Sequence, residues 1–310
     1  MHDSLAQSYW PLRSLLFLPA HRLDWAQKTA RTSVDGVILD LEDSVSPDKK
    51  ELARGVIAQS IDLLSAAGIV VTVRVNALDA GCDLDLAAIV RPGLAAVMLP
   101  KTDSVSDIAQ LDQKLKSAEA AAQMPEQTIG IIPLPETARG MWAAHDIAST
   151  SQRVTGLITS VSGPVSGDVA RAFGFEPSAT GEEQLFLQSR TILASRAAGA
   201  NFPIGAILGT RLDDLEFVER LIRRAKQLGF SGVALIHPSH VELANRIFRP
   251  SKDDIAYAKG LIEAMARAES SGAGAVSYQG AMVDYAMLPT AHQTLALAER
   301  FAAREQLRES

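Results

Sequence analysis

Eight short apolar runs, each followed by a longer stretch of helical period, limit what this chain can fold into more than any other feature. The runs occupy 14–20, 34–42, 68–76, 94–101, 128–136, 154–163, 202–208 and 231–238. Most are continuously apolar instead of alternating, the pattern of strands covered on both faces in a parallel sheet with helical crossovers. Between them the spacing predicts helices such as 48–66, 104–122, 182–198 and 212–228, several opening on Pro, Ser or Asp. Eight strand–helix repeats over roughly 240 residues is the count and length of a (β/α)8 barrel. A doubly wound sheet would more often carry a glycine-rich first turn, and no G-x-G-x-x-G follows the first run. The predicted catalytic barrel spans 1–250. Residues 251–310 exceed what eight repeats need. A helix over 253–269, a loop over 270–274 and a second amphipathic segment over 289–304 read as a C-terminal helical extension, packed on the barrel or against another subunit.

Charge and cysteine content narrow the function. Thirty Lys and Arg against 36 Asp and Glu give a net charge of −6, so no bulk positive field exists for nucleic acid or an anionic membrane. A polyanionic ligand needs a local basic pocket. The single cysteine, Cys82, excludes an intrachain disulfide and a cysteine-based zinc site, which suits a reducing compartment. No apolar run approaches the ~18 residues of a membrane span. The short stretch from Leu15 to Leu18 ends in Pro19 without a small-residue cleavage site, so neither signal peptide nor anchor is expected, and cytoplasm is the default.

In such a barrel the active site forms at the C-terminal ends of the strands. Those ends are polar here: Asp40, Glu42 and Asp43; Arg74 and Asn76; Lys101; Glu136; Ser162, Ser166 and Asp168; His237. The opposite ends begin with plain residues such as Val34, Gly68 and Leu94, an asymmetry that argues for an enzyme. Each residue also has a bland reading. Glu136 can be a charge at the start of a helix beginning at Thr137, and Asp168 a helix N-cap; capping is so common that residue type alone favours both. Functionally, two carboxylates with no histidine nearby are a hard-oxygen set suited to Mg2+. Arg74 can hold a substrate carboxylate bidentately, pair with the Asp40–Asp43 cluster, or do both. Lys101 reads as an ion-pair partner, since nothing marks it with the depressed pKa of a Schiff-base amine. His237 reads as a loop histidine and Cys82 as inert.

Taken in order, Arg13-Ser-Leu-Leu-Phe-Leu-Pro19, Val37-Ile-Leu-Asp-Leu-Glu-Asp43, Val73-Arg-Val-Asn76, Leu99-Pro-Lys101, Leu134-Pro-Glu-Thr137, Asp168 within Gly-Asp-Val-Ala, Gly229-Phe230 with Ile236-His-Pro238, and Met282-Val-Asp284 resemble one family. It is the HpcH/HpaI aldolase family, in its citrate lyase β-subunit-like and malyl-/citramalyl-CoA lyase-like branch. The resemblance runs from Arg13 to about Leu297. It implies a (β/α)8 barrel with a C-terminal lid, assembled as trimers or hexamers, that cleaves or forms a C–C bond beside an acyl-CoA thioester.

By the same resemblance Glu136 and Asp168 become Mg2+ ligands, reversing the capping preference. Arg74 becomes the arginine that binds the keto-acid oxygens, and Glu42 and Asp43 the acidic partners that orient it. Asp284 becomes an acid/base placed over the site by the extension of a neighbouring subunit. The expected substrates are citryl-, malyl- or citramalyl-CoA, or an acyl-CoA with glyoxylate, pyruvate or oxaloacetate in the forming direction. The CoA phosphates need local cations, and Arg13, His21 and Arg22 around the first strand are the nearest cluster. The alternatives are a citrate lyase component acting on an acyl-carrier thioester, and a class II aldolase acting on free keto acids without CoA. The chain departs from the family pattern in its Ser162-Gly-Pro-Val-Ser-Gly-Asp168 loop, at Val233 where relatives often carry lysine, and at Ala20 where glycine is frequent.

Overall fold

The computed structural model describes residues 8–161, 163 and 167–309. Its elements run β1 (Ser14–Pro19), α1 (Leu23–Thr29), β2 (Gly36–Asp40), α2 (Lys50–Ala66), β3 (Val70–Arg74), α3 (Cys82–Ile89), β4 (Leu94–Leu99) and α4 (Val105–Ala121). Then come β5 (Gly130–Pro133), α5 (Ala138–Trp142), α6 (Ala144–Ser149), β6 (Ile158–Ser160), α7 (Asp168–Phe173), α8 (Leu185–Ala197), β7 (Ile204–Ala206), α9 (Leu215–Leu228), β8 (Gly232–Leu235) and α10 (Val241–Phe248). The chain ends with α11 (Lys252–Ser270), β9 (Ala275–Tyr278), β10 (Ala281–Asp284) and α12 (Leu288–Glu309).

The first eight strands form one sheet in the order β5-β4-β3-β2-β1-β8-β7-β6, every pair parallel. At the remaining seam, between β5 and β6, Ile131 N–H donates to Arg153 O at 2.8 Å and Thr155 N–H to Ile131 O at 3.1 Å. The result is the (β/α)8 barrel expected from the eight runs. Arg153 reinforces this thin seam. It is buried, and its guanidinium donates to both oxygens of Glu119 on α4 at 2.8 and 2.7 Å, to Asp112 at 2.6 Å and to Ile129 O at 3.0 Å. A buried cation is tolerable because every face of it meets an oxygen.

Alternate strand residues fill the barrel. Leu15 and Phe17, Ile38, Ala96 and Met98, Ile132 and Leu134, Ile158, Ile204, Ala206 and Leu208, and Ala234 share one cluster. The intervening residues, among them Leu16, Val37, Leu39, Val73 and Val97, are equally buried, under the helices. Burial on both sides is why the runs are apolar without alternation. Trp10 and Phe202 stack at 6.3 Å and close the N-terminal end with Leu12 and Val70. Gly232 is required there, because a Cβ on it would lie 1.8 Å from Leu12 O and force β8 off β1.

The observed strands are shorter than their runs, β2 covering Gly36–Asp40 within 34–42. The residues trimmed from the C-terminal end belong to the loop, where Asp40 side-chain oxygens replace strand partners for the N–H groups of Glu42 and Ser44, both at 3.0 Å.

The chain divides into two compact units after Arg246, within α10 and short of the boundary expected at 250. In the second unit Ala258, Leu261, Met265, Val283 and Ala291 form a small core of their own. The sequence predicts helices here, and α11 and α12 are present; the β9–β10 hairpin between them is additional. Its two-residue turn places Gln279 and Gly280 at φ 50° and 83°, the left-handed pair that a tight hairpin needs. Four residues per strand and Gln in place of Asn or Asp at the turn make a weak hairpin pattern in the sequence. The tip is tied to α11 by Tyr278, whose hydroxyl would be 2.1 Å from a Cβ on Gly260. Among the described residues no helix is long and apolar enough to cross a membrane.

Candidate active site

The inward-facing register that fills the barrel ends, at its C-terminal mouth, in a cavity of about 440 Å³. Phe17, Leu134, Ile158, Ala206, Leu208 and Ile236 make its apolar wall; Asp40, Asp43, Arg74, Glu136 and Asp168 make its charged side. The C-terminal ends of β2 and β3 and the segments following β2, β5 and β6 supply those charges, as the (β/α)8 architecture leads one to expect.

Arg74, the last residue of β3, is clamped. Its Nε and Nη2 donate to Oδ1 and Oδ2 of Asp40, both at 2.6 Å, and its plane lies over the Phe17 ring at 5.3 Å. Nη1 sits 3.0 Å from Glu42 Oε2 and 3.9 Å from Asp43. The Glu42 contact is a close ion pair without hydrogen-bond alignment, so Glu42 Oε2 remains a buried acceptor with no donor. Arg74 Nη1 correspondingly keeps N–H groups for a ligand. Burial works to raise the Asp40 carboxyl, but the Arg74 hydrogen bonds and charge outweigh it and hold Asp40 below the usual range. Glu42 goes the other way: burial outweighs Lys101 and Arg74, and its carboxyl is pushed up.

Lys101 links this clamp to Glu136. Its Nζ donates to Glu42 Oε1 at 2.8 Å and its backbone N–H to Glu136 Oε1 at 3.0 Å. Those two bonds hold it at φ 51°, a left-handed conformation costly for a side-chain-bearing residue and typical of functional sites. The Glu42 hydrogen bond raises the Lys101 ammonium, the opposite of what an amine nucleophile requires.

Glu136 lies one residue before the N-cap of α5. The capping oxygen is that of Thr137, which accepts from Gly140 N–H at 3.1 Å. At 9 % exposure the Glu136 carboxyl is pushed up to about 7, first by burial and then by the charges of Glu42 and Asp168, against the Lys101 N–H and Arg74. Asp168 is the first residue of α7, Gly167 taking the cap position, and it pairs with Arg171. Glu136 is thus a charge at the start of a helix, as its position suggests, and Asp168 stands inside the first turn instead of at the cap.

The cavity therefore lines four carboxylates against one arginine. Among the described residues no group of three or more His, Cys, Asp or Glu converges on one point. Two of the carboxylates, Glu136 and Asp168, could hold a metal that completes its shell with water or ligand oxygens, the habit of Mg2+. The residues fit such an ion: a destabilised buried carboxylate, a second one beside it, and an unpartnered Glu42 oxygen to accept from a coordinated donor.

The predicted phosphate cluster is split. His21 and Arg22 follow the C-terminal end of β1, at the cavity side. Arg22 pairs with Asp24 at 2.7 Å and stacks on Trp25 at 4.5 Å. Burial and then Lys49 pull the His21 imidazole below its ordinary value. Lys49 thus belongs to this basic group, which its place in the polar stretch Asp48-Lys49-Lys50 does not reveal. Arg13 does not belong to it. It precedes β1 at the opposite end of the barrel, 2 % exposed, with Nε and Nη2 on Asp35 at 2.9 and 2.8 Å. Arg13 is a structural ion pair and cannot reach a ligand at the mouth.

Asp284 closes β10 in the second unit, exposed, its Oδ1 accepting from Ala286 N–H at 3.0 Å. Ser162 and Ser166 lie outside the described residues. His237 is a loop residue with Nδ1 2.7 Å from Ser239 Oγ. Cys82 is buried and its thiol is pushed up to about 12, mainly by burial, which leaves it unreactive.

A model of the HpcH/HpaI aldolase/citrate lyase family matches residues 13–238. The chain belongs to this family. It is 32% identical over 291 residues to the citrate lyase subunit beta of Haemophilus influenzae, covering 93% of this chain and 97% of that protein. It is 30% identical over 303 residues to a (3S)-malyl-CoA thioesterase of Cereibacter sphaeroides, covering 96% and 99%. Its fold superposes on protein CitE of Mycobacterium tuberculosis, solved with magnesium, acetoacetate and coenzyme A, with a TM-score of 0.71 and 28% identity over 92% and 97% of the two chains. These relatives are a lyase subunit and a thioesterase, so the family is one of enzymes.

Proposed function

We propose that the chain is a Mg2+-dependent lyase that cleaves or forms a β-hydroxyacyl-CoA thioester of the citryl, malyl or citramalyl type. The observation that carries this reading is the sharing of one cavity by a clamped arginine, the buried Glu136 carboxyl and the Asp168 carboxylate. The M. tuberculosis relative, solved with magnesium, acetoacetate and coenzyme A, supports it.

Glu136 and Asp168 would hold the ion. When bound, Mg2+ supplies Lewis acidity to the substrate's hydroxyl and carboxylate oxygens and so eases loss of the hydroxyl proton. Arg74, already oriented by Asp40, turns its remaining N–H groups to the carboxylate and to the oxygen that becomes the keto group. Phe17, Leu134, Ile158, Leu208 and Ile236 exclude water along the carbon chain. C–C cleavage releases the keto acid and leaves a thioester enolate that needs a proton at carbon. Asp284, presented by the extension of a neighbouring subunit in a trimer or hexamer, provides it and is restored by the proton that the hydroxyl gives up, so the cleavage is proton-neutral. Exposure of Met282 and Tyr285 on either side of Asp284 supports a surface that docks elsewhere. His21, Arg22 and Lys49 take the CoA phosphates.

Acetyl- or propionyl-CoA offered with glyoxylate, pyruvate or oxaloacetate is expected to give new hydroxyacyl-CoA thioesters by mass spectrometry with Mg2+ and none with EDTA. Cleavage of free hydroxy-keto acids with no thioester formed would instead identify a CoA-independent aldolase. The likeness to citrate lyase β subunits favours a second reading, in which the thioester sits on an acyl carrier; activity on a carrier-bound thioester but not on free CoA esters would select it. For Asp284, chains carrying Asp284→Ala and chains carrying Arg74→Ala, each inactive alone, are expected to regain part of their activity when mixed. Absence of complementation in mixed oligomers would rule out the shared site.

A further inference from the structure

We propose that Lys50 is a positioning residue that holds the site's acidic loop in its working conformation. Its kinetic consequence rests on the proposed function; its structural consequence does not.

Lys50 opens α2, and its partly buried Nζ donates to Leu41 O at 2.5 Å, Glu42 O at 2.6 Å and Asn76 Oδ1 at 2.8 Å. An ammonium has three N–H groups and no more, so all are used within the protein and none is left for a ligand. Two of the acceptors are successive carbonyls. Both must turn toward one nitrogen, which fixes the peptide planes of the segment carrying Glu42 and Asp43.

The third acceptor, Asn76, is itself fixed. Its N–H and Nδ2 both donate to Asp85 Oδ2 at 2.7 Å, Nδ2 also reaches Leu41 O at 3.1 Å, and Arg54 Nε holds Asp85 Oδ1 at 2.7 Å. A chain of charge-assisted bonds thus runs from Arg54 on the barrel's flank through Asp85, Asn76 and Lys50 to the loop after β2. On the far side of that loop the Glu42 carboxylate meets Arg74 Nη1 and Lys101 Nζ. Partners of this kind, one step removed from the reacting groups, are worth about 10–100-fold in activity.

The test compares Lys50→Met and Lys50→Arg with the wild-type chain. Hydrogen–deuterium exchange of the Glu42, Ser44 and Val45 amides, which donate to Asp40 and to Glu42 O, is expected to accelerate at least tenfold in Lys50→Met while α4 keeps its protection. Lys50→Arg keeps the charge, but its planar fork cannot meet three converging oxygens, and an intermediate acceleration is expected. In the Mg2+-dependent thioester assay kcat is expected to fall about 10–100-fold in Lys50→Met, with KM changed much less. In Lys50→Ala, methylammonium is expected to restore part of the lost kcat, a rescue that a merely destabilised fold does not show. Wild-type exchange in the loop of both Lys50→Met and Lys50→Arg, or a kcat loss that methylammonium leaves untouched, would overturn the proposal. A wild-type chain inactive on every thioester, with the loop exchange still accelerated, would refute the proposed function and leave this role of Lys50 standing.

Discussion

Glu136→Gln is expected to abolish turnover and, without a divalent cation, to make the protein more stable above neutral pH. The second effect follows from burial. The Glu136 carboxyl is pushed from 4.5 to about 7 in the folded chain, so the native state holds its proton more tightly than the unfolded state does. Stability contributed by this group is therefore present below the unfolded value and declines as pH rises through the window between 4.5 and about 7. Above it, the ionised carboxylate costs up to roughly 3 kcal/mol at about 1.4 kcal/mol per unit. Glutamine keeps the shape and removes the charge. In EDTA the denaturation midpoint of Glu136→Gln should exceed that of the wild type near pH 8 and approach it near pH 4, values on either side of the window. Added Mg2+ should stabilise the wild type and leave the variant unchanged, and Asp168→Asn should likewise lose both turnover and the Mg2+ response. A wild type indifferent to Mg2+, or a Glu136→Gln chain that turns over normally, would remove Glu136 from the metal site.

Arg74→Lys should be nearly as damaging although it keeps the charge. The guanidinium spans Asp40 with two bonds of 2.6 Å, reaches Glu42 at 3.0 Å and still has N–H groups to offer. A single ammonium can neither span Asp40 bidentately nor lie flat over Phe17. Loss of preorganised donors at developing charge costs about 10²–10³ in rate, and a fall of that order in kcat/KM is expected for Arg74→Lys. Arg74→Met goes further: Asp40 stays buried without its cation and Glu42 keeps only Lys101, and breaking such a buried pair costs about 3–5 kcal/mol. Comparing the denaturation midpoints of the two variants separates the catalytic loss from the structural one. Equal kcat/KM in Arg74→Lys and wild type would show that the arginine only staples β3 to β2.

Much of this was legible in the residues. Continuous apolar runs with helical spacers call for a parallel sheet covered on both faces, and eight of them without a glycine-rich first turn favour the closed barrel over a doubly wound sheet. The same alternation puts Asp40, Arg74 and Glu136 on the inward register at the mouth. Arg13 shows where such reasoning fails. It stands only eight positions before His21, but the strand between them rises about 3.3 Å per residue, so the six residues of β1 carry the two to opposite ends of the barrel. Nearness along the chain is distance along a strand.

The sequence by itself determined the barrel, the polar end of each strand and the residue types at the mouth, because period and burial are local properties of the chain. The tertiary structure alone decided which of those groups share a field. Glu136 is a perturbed acid because tertiary packing buries it and brings the charges of Glu42 and Asp168, from other segments, near it. Lys50, one lysine of an ordinary polar helix start, becomes part of the site only because Leu41, Glu42 and Asn76 converge on it. Hydrogen-bond direction and shared burial arise between segments far apart in the chain, and no pattern within one segment records them.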